Sequence, residues 1–150
     1  MFFIVAFAVT LRTEGWTSQR RSTIPPTEIA RKTLPSVVAV LAKDSQGDTI
    51  FGSGFFIGAN LIATNYHVVK NASRITVKLV GQKKRFLIED VVAVDQERDL
   101  AILKVDALRA RPLTLSHRNP VIGEEIYVVG NPEGFEGTFW QNRNIVFFGS

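Results

Sequence analysis

Two titratable residues, His67 and Asp99, stand beside apolar segments at positions where general acid–base chemistry can be built. His67 lies in the segment LIATNYHVV, residues 61–69, and Asp99 directly precedes the apolar run LAILKV. A general base needs an imidazole held in place and a partly buried carboxylate that fixes its tautomer and stabilises the imidazolium. A histidine at the end of one strand and an aspartate before a later strand would supply both groups.

Each of these residues also has a plain structural interpretation. A lone histidine among apolar residues is commonly a core residue whose ring is hydrogen-bonded. An aspartate before a buried strand is commonly a turn residue that caps the start of that strand. The residue types and their spacing leave both interpretations of His67 and Asp99 open.

The elements that must position this pair are short apolar runs separated by turn residues. The runs are SVVAVLA (36–42), FGSGFFI (51–57), LIAT (61–64), ITVKL (75–79), RFLIEDVVAV (85–94), LAILKV (100–105) and IYVVG (126–130). Many short strands, and no long segment of helical period, predict an all-β barrel or sandwich. Gly52 and Gly54 lie inside the second run and predict a bulge or a close backbone approach.

The N-terminal residues differ in composition and pattern from these apolar runs. The first eleven residues, MFFIVAFAVTL, form an apolar run that is too short for a membrane span and lacks the positive flank of a typical secretory signal. We expect this run to be the remnant of an export signal or anchor, with a buried strand as the alternative. The polar stretch that turns at Pro25-Pro26 predicts a linker, and EIARKTL before Pro35 predicts one or two helical turns.

Composition favours a folded domain without a metal centre. The 150 residues carry a net charge of +4 from 18 basic and 14 acidic side chains. The basic clusters are Arg20-Arg21, Arg31-Lys32 and Lys83-Lys84-Arg85. These clusters suit a linker and a hairpin tip better than a groove that follows nucleic-acid phosphates. With no cysteine and only two histidines, we expect no disulfide, no metal site and no cofactor.

Three linked motifs carry a family resemblance. GSGFFIGANLIATNYHVV, DLAILKV and GEEIYVVGNPEG follow one another in this order between Pro35 and Phe139. Together they resemble the trypsin-like serine proteases of the HtrA (Deg) type. The resemblance implies an all-β, chymotrypsin-like fold of six-stranded barrels, with the first barrel complete and the second only begun, so that the chain corresponds to an N-terminal portion. It divides the chain into an N-terminal segment and linker (1–26), a protease domain (27–139) and a divergent tail (140–150).

The resemblance also implies roles for individual residues. His67 matches the histidine that acts as general base, and Asp99 matches the aspartate that orients it. Asp95 is the nearest competitor, but Asp99 directly precedes Leu-Ala as the motif requires. The Gly52-Ser53-Gly54 strand and the Gly130-Asn131-Pro132 turn match structural positions.

The nucleophile of the family is missing from this sequence. The family carries its serine in a glycine-asparagine-serine-glycine-glycine loop, which the chain lacks. Ser53 has phenylalanines where a G-x-S-x-G elbow has glycines, and Ser150 has no amides after it to form an oxyanion hole. We expect little or no activity from these residues alone, and an exposed apolar patch on the barrel.

The family also implies partners and a compartment. We expect unfolded or misfolded polypeptides as substrates, an exported protein in the periplasm or cell envelope, and a homo-oligomer, trimeric by family. Membrane association would involve only the N-terminal segment, and no nucleic-acid partner is expected.

Two non-catalytic functions are the alternatives to a protease. The first is a pseudoprotease module that keeps the barrel in order to bind exposed apolar peptides. The second is a basic nucleic-acid-binding barrel, which predicts exposed aromatic side chains among Lys and Arg on one strand face. Most aromatics of this chain lie inside apolar runs instead.

Overall fold

The computed structural model describes residues 24–121, 126–130 and 138–142. Most of the predicted N-terminal segment and the last eight residues of the chain lie outside these ranges.

A short helix, α1 (Pro26–Thr33), opens the described part of the chain. Proline suits the first position of a helix, because its φ is already fixed near the helical value and its missing N–H has no partner there. The helix buries Ile29, and a 3₁₀ turn, Leu34–Ser36, follows it at Pro35. The helical turns predicted before Pro35 are present.

Seven antiparallel strands form the main sheet, as the alternation of apolar runs and turn residues predicts. In chain order they are β1 (Val37–Asp44), β2 (Thr49–Phe56), β3 (Leu61–Thr64), β4 (Ala72–Leu79), β5 (Phe86–Leu87), β6 (Asp90–Asp95) and β7 (Leu100–Lys104). Their order in the sheet is β5-β4-β1-β2-β3-β7-β6. A second helical segment, α2 (Tyr66–Val69), lies between β3 and β4. The predicted all-β class is confirmed.

The concave side of the sheet holds the core. Alternate residues point there, so that Val38 and Val40 of β1 lie beside Val77 of β4, and all three are fully buried. Ile62 and Leu103, which face each other across β3 and β7, are also fully buried. Burying aliphatic side chains of this size contributes about 1.5–3 kcal/mol each.

Residues 88 and 89 connect the two sides of the main sheet. The amide of Ile88 donates to Ile75 of β4, at 3.0 Å, and the amide of Glu89 donates to Lys104 of β7, at 3.1 Å. Successive residues therefore bond to β4 and β7, the strands next to the two opposite edges, which curls the sheet toward closure. The run 85–94, predicted as one strand, consequently divides into β5 and β6.

Two glycines of β2 allow close packing of the backbone. A Cβ on Gly52 would lie 2.7 Å from Cγ2 of Val68, and a Cβ on Gly54 would lie 2.8 Å from Cγ2 of Ile62. Real Cβ atoms do not approach other carbons so closely, which confirms the predicted close approach. The pairing register continues through both glycines, so they mark no bulge.

A separate two-stranded sheet comprises β8 (Ile126–Gly130) and β9 (Thr138–Asn142). Its strands are antiparallel, and Ile126 and Val128 of β8 are buried. A Cβ on Gly130 would lie 3.2 Å from Oγ of Ser53, so β8 runs close to β2. The rest of the predicted Gly-Asn-Pro turn lies outside the described residues.

Candidate active site

Sheet pairing explains why residues 65–67 meet residue 99. The last residue of β3, Thr64, is the pairing partner of Ala101 in β7. Because β3 and β7 are antiparallel, the chain that leaves β3 and the chain that enters β7 lie at the same end of the sheet. His67 follows β3 and Asp99 precedes β7, so the fold brings them together across 32 residues of sequence.

His67 lies in α2 rather than at the end of a strand. The strand ends at Thr64, and the amide of Lys70 donates to the carbonyl of Tyr66, at 2.9 Å, which closes a single helical turn. The turn buries Val68 and Val69 in the core while His67 remains partly exposed. The expectation of a histidine at a strand end was wrong. A short helix follows the strand and contains His67, because a helical turn lets both valines reach the core.

Asp99 occupies the tight turn between β6 and β7. Its φ of 54° is in the left-handed region, which Asp and Asn enter more readily than other non-glycine residues. The amide of Asp99 donates to the carbonyl of Gln96, at 3.3 Å. The turn interpretation of Asp99 and its contact with His67 therefore both hold.

Both oxygens of the Asp99 carboxylate contact His67. Oδ2 lies 2.6 Å from the ring nitrogen Nδ1, and Oδ1 accepts the backbone amide of His67 at 2.8 Å. The two contacts orient the imidazole relative to its own backbone. With Nδ1 turned to the carboxylate, Nε2 is the ring nitrogen that faces away from Asp99. The side chains of His67 and Asp99 are 41% and 33% exposed, so the pair is open to an incoming group.

Asn65 completes the surroundings of Asp99, and the sequence analysis missed it. Its Nδ2 donates to Oδ2 of Asp99 at 3.0 Å and to the Asp99 carbonyl at 3.3 Å. The amide of Tyr66 donates to the same carbonyl at 3.1 Å. Asn65 is the residue before α2, where asparagine usually caps the helix, but here its side chain makes no such cap. The signal in the sequence that could have identified Asn65 is its position between the end of β3 and His67.

These hydrogen bonds determine the charge of Asp99. Burial acts to raise the pKa of Asp99, but the backbone amide and ring of His67 and the amide of Asn65 outweigh it, so that the pKa is lowered. Asp99 is therefore ionised at neutral pH. An ionised carboxylate at Nδ1 favours a proton on that nitrogen and stabilises an imidazolium.

Several serines within the described ranges take part in structural hydrogen bonds. The hydroxyl of Ser36 donates to the Arg111 carbonyl at 2.6 Å, and that of Ser73 donates to the Asp44 carbonyl at 2.9 Å. The carbonyl of Ser53 accepts the hydroxyl of Thr64 at 2.8 Å. Ser150 lies outside the described residues.

Within the same ranges, no three His, Asp or Glu side chains cluster in a way that could hold a metal ion. No helix there is long and apolar enough to cross a membrane.

Comparison with known proteins gives matches to serine proteases. Residues 52–147 match the family model described as the trypsin-like peptidase domain, a range that contains both His67 and Asp99. The chain is 37% identical over 92 residues to protease Do-like 1, chloroplastic, of Arabidopsis thaliana, an alignment that covers 58% of this chain and 20% of that protein. It is 35% identical over 86 residues to the probable periplasmic serine endoprotease DegP-like of Rickettsia prowazekii, which covers 55% of this chain and 16% of that protein.

A solved structure gives the same result for the fold. The active form of the Rv3671c protease from M. tuberculosis superposes with a TM-score of 0.71 at 27% identity, over 87% of this chain and 60% of that chain. The predicted trypsin-like fold and the predicted resemblance to HtrA/Deg-type proteases are confirmed. The chain spans a fifth or less of the length of the two curated relatives.

Proposed function

The chain belongs to the trypsin-like peptidase family, in its HtrA/Deg branch, and from this premise we propose that it forms the base-bearing part of a serine endopeptidase. His67 is the general base of this proposal and Asp99 is the residue that orients it. The observation that carries the proposal is the double contact of the Asp99 carboxylate with His67, at 2.6 Å to Nδ1 and 2.8 Å to the backbone amide.

The proposed chemistry follows from this arrangement. Nε2 of His67 accepts the proton of a serine hydroxyl while the serine oxygen attacks the carbonyl carbon of a peptide bond. The imidazolium, stabilised by Asp99, then gives this proton to the leaving amine. In the second half, His67 takes a proton from water as the water attacks the acyl-enzyme, and returns it to the serine oxygen. Both halves need the proton on Nδ1 to remain there, which is the contribution of Asp99.

The proposal includes the absence of activity from these residues alone. The 150 residues contain no glycine-asparagine-serine-glycine-glycine loop, so they supply neither the nucleophile nor the amides that stabilise its oxyanion. Removal of one member of a catalytic triad lowers the rate by several orders of magnitude. The protease domain of this proposal spans 27–139, preceded by the N-terminal segment 1–26 and followed by the divergent tail 140–150.

The proposal also covers the substrate of the protein, its oligomeric state and its compartment. Unfolded or misfolded polypeptides are the substrates, in protein quality control, and the working protein is a homo-oligomer, trimeric by family. The Rickettsia prowazekii relative is named as periplasmic, and this likeness, with the apolar run at the N-terminus, supports export to the periplasm or cell envelope.

Casein proteolysis tests the catalytic part. The purified chain and its His67→Ala variant are incubated with casein, and new amino termini are counted. We expect the native chain to release no more new amino termini than the variant does. Release that disappears in His67→Ala would show that a nucleophile is present after all, and the statement of inactivity would be wrong.

The tautomer of His67 tests its role without requiring turnover. In a two-bond ¹H–¹⁵N correlation spectrum we expect the proton on Nδ1 in the native chain and on Nε2 in Asp99→Asn. His117, the second histidine of the chain, is the internal control and should be unchanged. A proton on Nε2 of His67 in the native chain would contradict its role as a base poised toward a substrate.

A pseudoprotease module is the second candidate, favoured by the exposed valines of β6. Val92 and Val94 point apolar side chains to solvent on a strand at the edge of the sheet, as a surface for apolar peptides would. Unfolded casein would then bind without cleavage, and Val92→Lys/Val94→Lys would weaken binding while His67→Ala would not. Val121→Lys, at another exposed valine, is the matched control.

A further inference from the structure

The outer face of the main sheet carries a hollow that the proposed catalysis does not use. Its volume is about 620 Å³. Three cationic and three apolar side chains line it, with threonines between them: Lys43, Arg74, Arg85, Leu41, Phe51 and Leu87. We call this site the basic hollow.

Strand register arranges the apolar part of the basic hollow as one row across the sheet. Leu41 of β1 pairs with Phe51 of β2 on one side and with Thr76 of β4 on the other. Thr76 in turn pairs with Leu87 of β5. Leu41 is buried, whereas Phe51 and Leu87 are 50% and 52% exposed. Leu41 therefore forms the floor of the hollow, and Phe51 and Leu87 form its exposed sides.

The cationic part forms a second row beside the first. Lys43, two residues after Leu41 on the same face, is the direct pairing partner of Arg74. Two residues along a strand correspond to about 7 Å, so the charges lie next to the apolar row. Like charges directly opposite each other on adjacent strands destabilise a sheet.

Among the residues the structure describes, neither Lys43 nor Arg74 forms an ion pair with a carboxylate. The ion pairs found there join other residues, with Glu28, Asp95, Asp99 and Asp106 as the acidic partners. Lys43, Arg74 and Arg85 line the hollow with no carboxylate in its lining, and the acidic side chains of Glu89 and Asp90 line a neighbouring hollow that shares Arg74. The site is thus electrostatically complementary to an anionic ligand, and its exposed Phe51 and Leu87 are complementary to an apolar one.

We infer that the basic hollow binds an acidic polypeptide segment in which carboxylates flank an apolar side chain. The carboxylates would meet Lys43, Arg74 and Arg85, and the apolar side chain would fill the space between Phe51 and Leu87. Binding of this kind exchanges a repulsive pair for charge-assisted hydrogen bonds and removes apolar surface from water.

Two other anionic partners fit this surface less well. Single-stranded nucleic acid requires several aromatic side chains on which successive bases stack, and Phe51 is the one aromatic side chain in the lining of the hollow. An anionic membrane requires a continuous apolar face that enters the lipid, whereas here the two exposed apolar side chains are separated by Thr76 and the buried Leu41. A peptide side chain fits into such a hollow. This inference does not depend on the proposed catalysis.

Fluorescence anisotropy with labelled synthetic peptides tests the proposal on the full chain. The probe is a short peptide that alternates Glu with Phe and Leu. One control peptide carries Gln for every Glu, and another carries Ser for every Phe and Leu. We expect binding of the first peptide only, and weaker binding as salt is added.

Two double variants separate the hollow from net charge. Lys43→Gln/Arg74→Gln should weaken binding of the acidic peptide at least tenfold. Lys70→Gln/Arg109→Gln removes the same charge from exposed residues outside the hollow and should leave binding unchanged. If the first variant fails to fold, as judged by circular dichroism, Arg85→Gln and Phe51→Ser are measured instead, and each should lower the affinity.

Three results would overturn the proposal. One is equal affinity of the native chain and Lys43→Gln/Arg74→Gln for the acidic peptide. Another is equal binding of the Gln-substituted peptide. The third is tighter binding of phosphatidylglycerol vesicles or of oligothymidylate than of the peptide, with loss in the same double variant, which would assign the hollow to a membrane or to nucleic acid.

Discussion

The side-chain amide of Asn65 lies 3.0 Å from Oδ2 of Asp99, the same oxygen that contacts the imidazole of His67. Asn65 therefore acts on the histidine only through the carboxylate, as a positioning residue. It also donates to the backbone carbonyl of Asp99 at 3.3 Å, so that one side chain holds both the carboxylate and the turn that carries it.

Asn65→Ala should loosen Asp99 without touching His67. We expect a loss of about 1.5–3 kcal/mol in the free energy of unfolding, because a partly buried hydrogen bond to a charged group is removed. The histidine tautomer should become mixed, as seen in the ¹H–¹⁵N spectrum. Asn60→Ala is the matched control, since Asn60 donates to the exposed Asp106 at 3.2 Å. An equal loss in both variants with an unchanged His67 tautomer would refute the positioning role.

Acidification should reveal the lowered pKa of Asp99. Because the folded-state pKa lies below the ordinary value, the carboxylate stabilises the fold above the ordinary carboxyl range, and this contribution is lost as the pH falls through the lowered pKa. Asp99→Asn, which tolerates the same left-handed backbone, should melt at a lower temperature than the native chain at neutral pH. In acid the two melting temperatures should converge.

Asp95 provides the control for this titration. It is the last residue of β6, directly before the turn that holds Asp99, and its pKa is also lowered, chiefly by a side-chain hydrogen bond from Arg98. The Asp95–Arg98 pair is exposed, so the effect of Asp95→Asn should disappear in high salt. The effect of Asp99→Asn should persist in salt. A difference between the native chain and Asp99→Asn that does not change with pH would contradict the assignment.

Gly52→Ala should disturb the active-site turn from strand β2. The new methyl group would lie 2.7 and 2.8 Å from the two γ-carbons of Val68, so it must push α2 and with it His67. Overpacking of this kind costs about 1–3 kcal/mol. Thermal unfolding measures the cost, and the ring signals of His67 should shift.

Two further variants separate overpacking at Gly52 from a general intolerance of alanine. Gly58→Ala meets Leu61 at 3.4 Å, an ordinary contact, and should have little effect. Gly52→Ala/Val68→Ala provides space for the new methyl and should recover part of the stability lost in Gly52→Ala. If the double variant is less stable than the sum of the two single changes, the cause is not the contact with Val68.

Sequence patterns predicted the elements whose bounds are set by local chemistry. LIAT and IYVVG are apolar runs between turn residues, and they became β3 and β8 with the same bounds. For these strands the signal lies within a few adjacent residues. The family resemblance of three linked motifs, and not a local pattern, implied the pairing of His67 with Asp99 that the structure shows as a contact.

Features that depend on register were not predictable in the same way. The run 85–94 divides because Ile88 bonds to β4 and Glu89 bonds to β7, at opposite sides of the sheet, and a hydrophobic pattern does not specify which strand a residue meets. Asn65 precedes a helix as an ordinary capping residue would, and only the fold turns its side chain to Asp99. The basic hollow likewise requires the pairing of Lys43 with Arg74, far apart in sequence.

That pairing makes a prediction for stability that is independent of any ligand. Arg74→Glu converts a repulsive cross-strand pair into an attractive one with Lys43, and should raise the free energy of unfolding by about 0.2–1 kcal/mol. Arg109→Glu makes the same change of charge outside the hollow and should not stabilise the fold. Urea denaturation in low salt measures both, and added salt should diminish the gain because these side chains face solvent. No gain from Arg74→Glu relative to Arg109→Glu would mean that the two cations do not repel each other across β1 and β4.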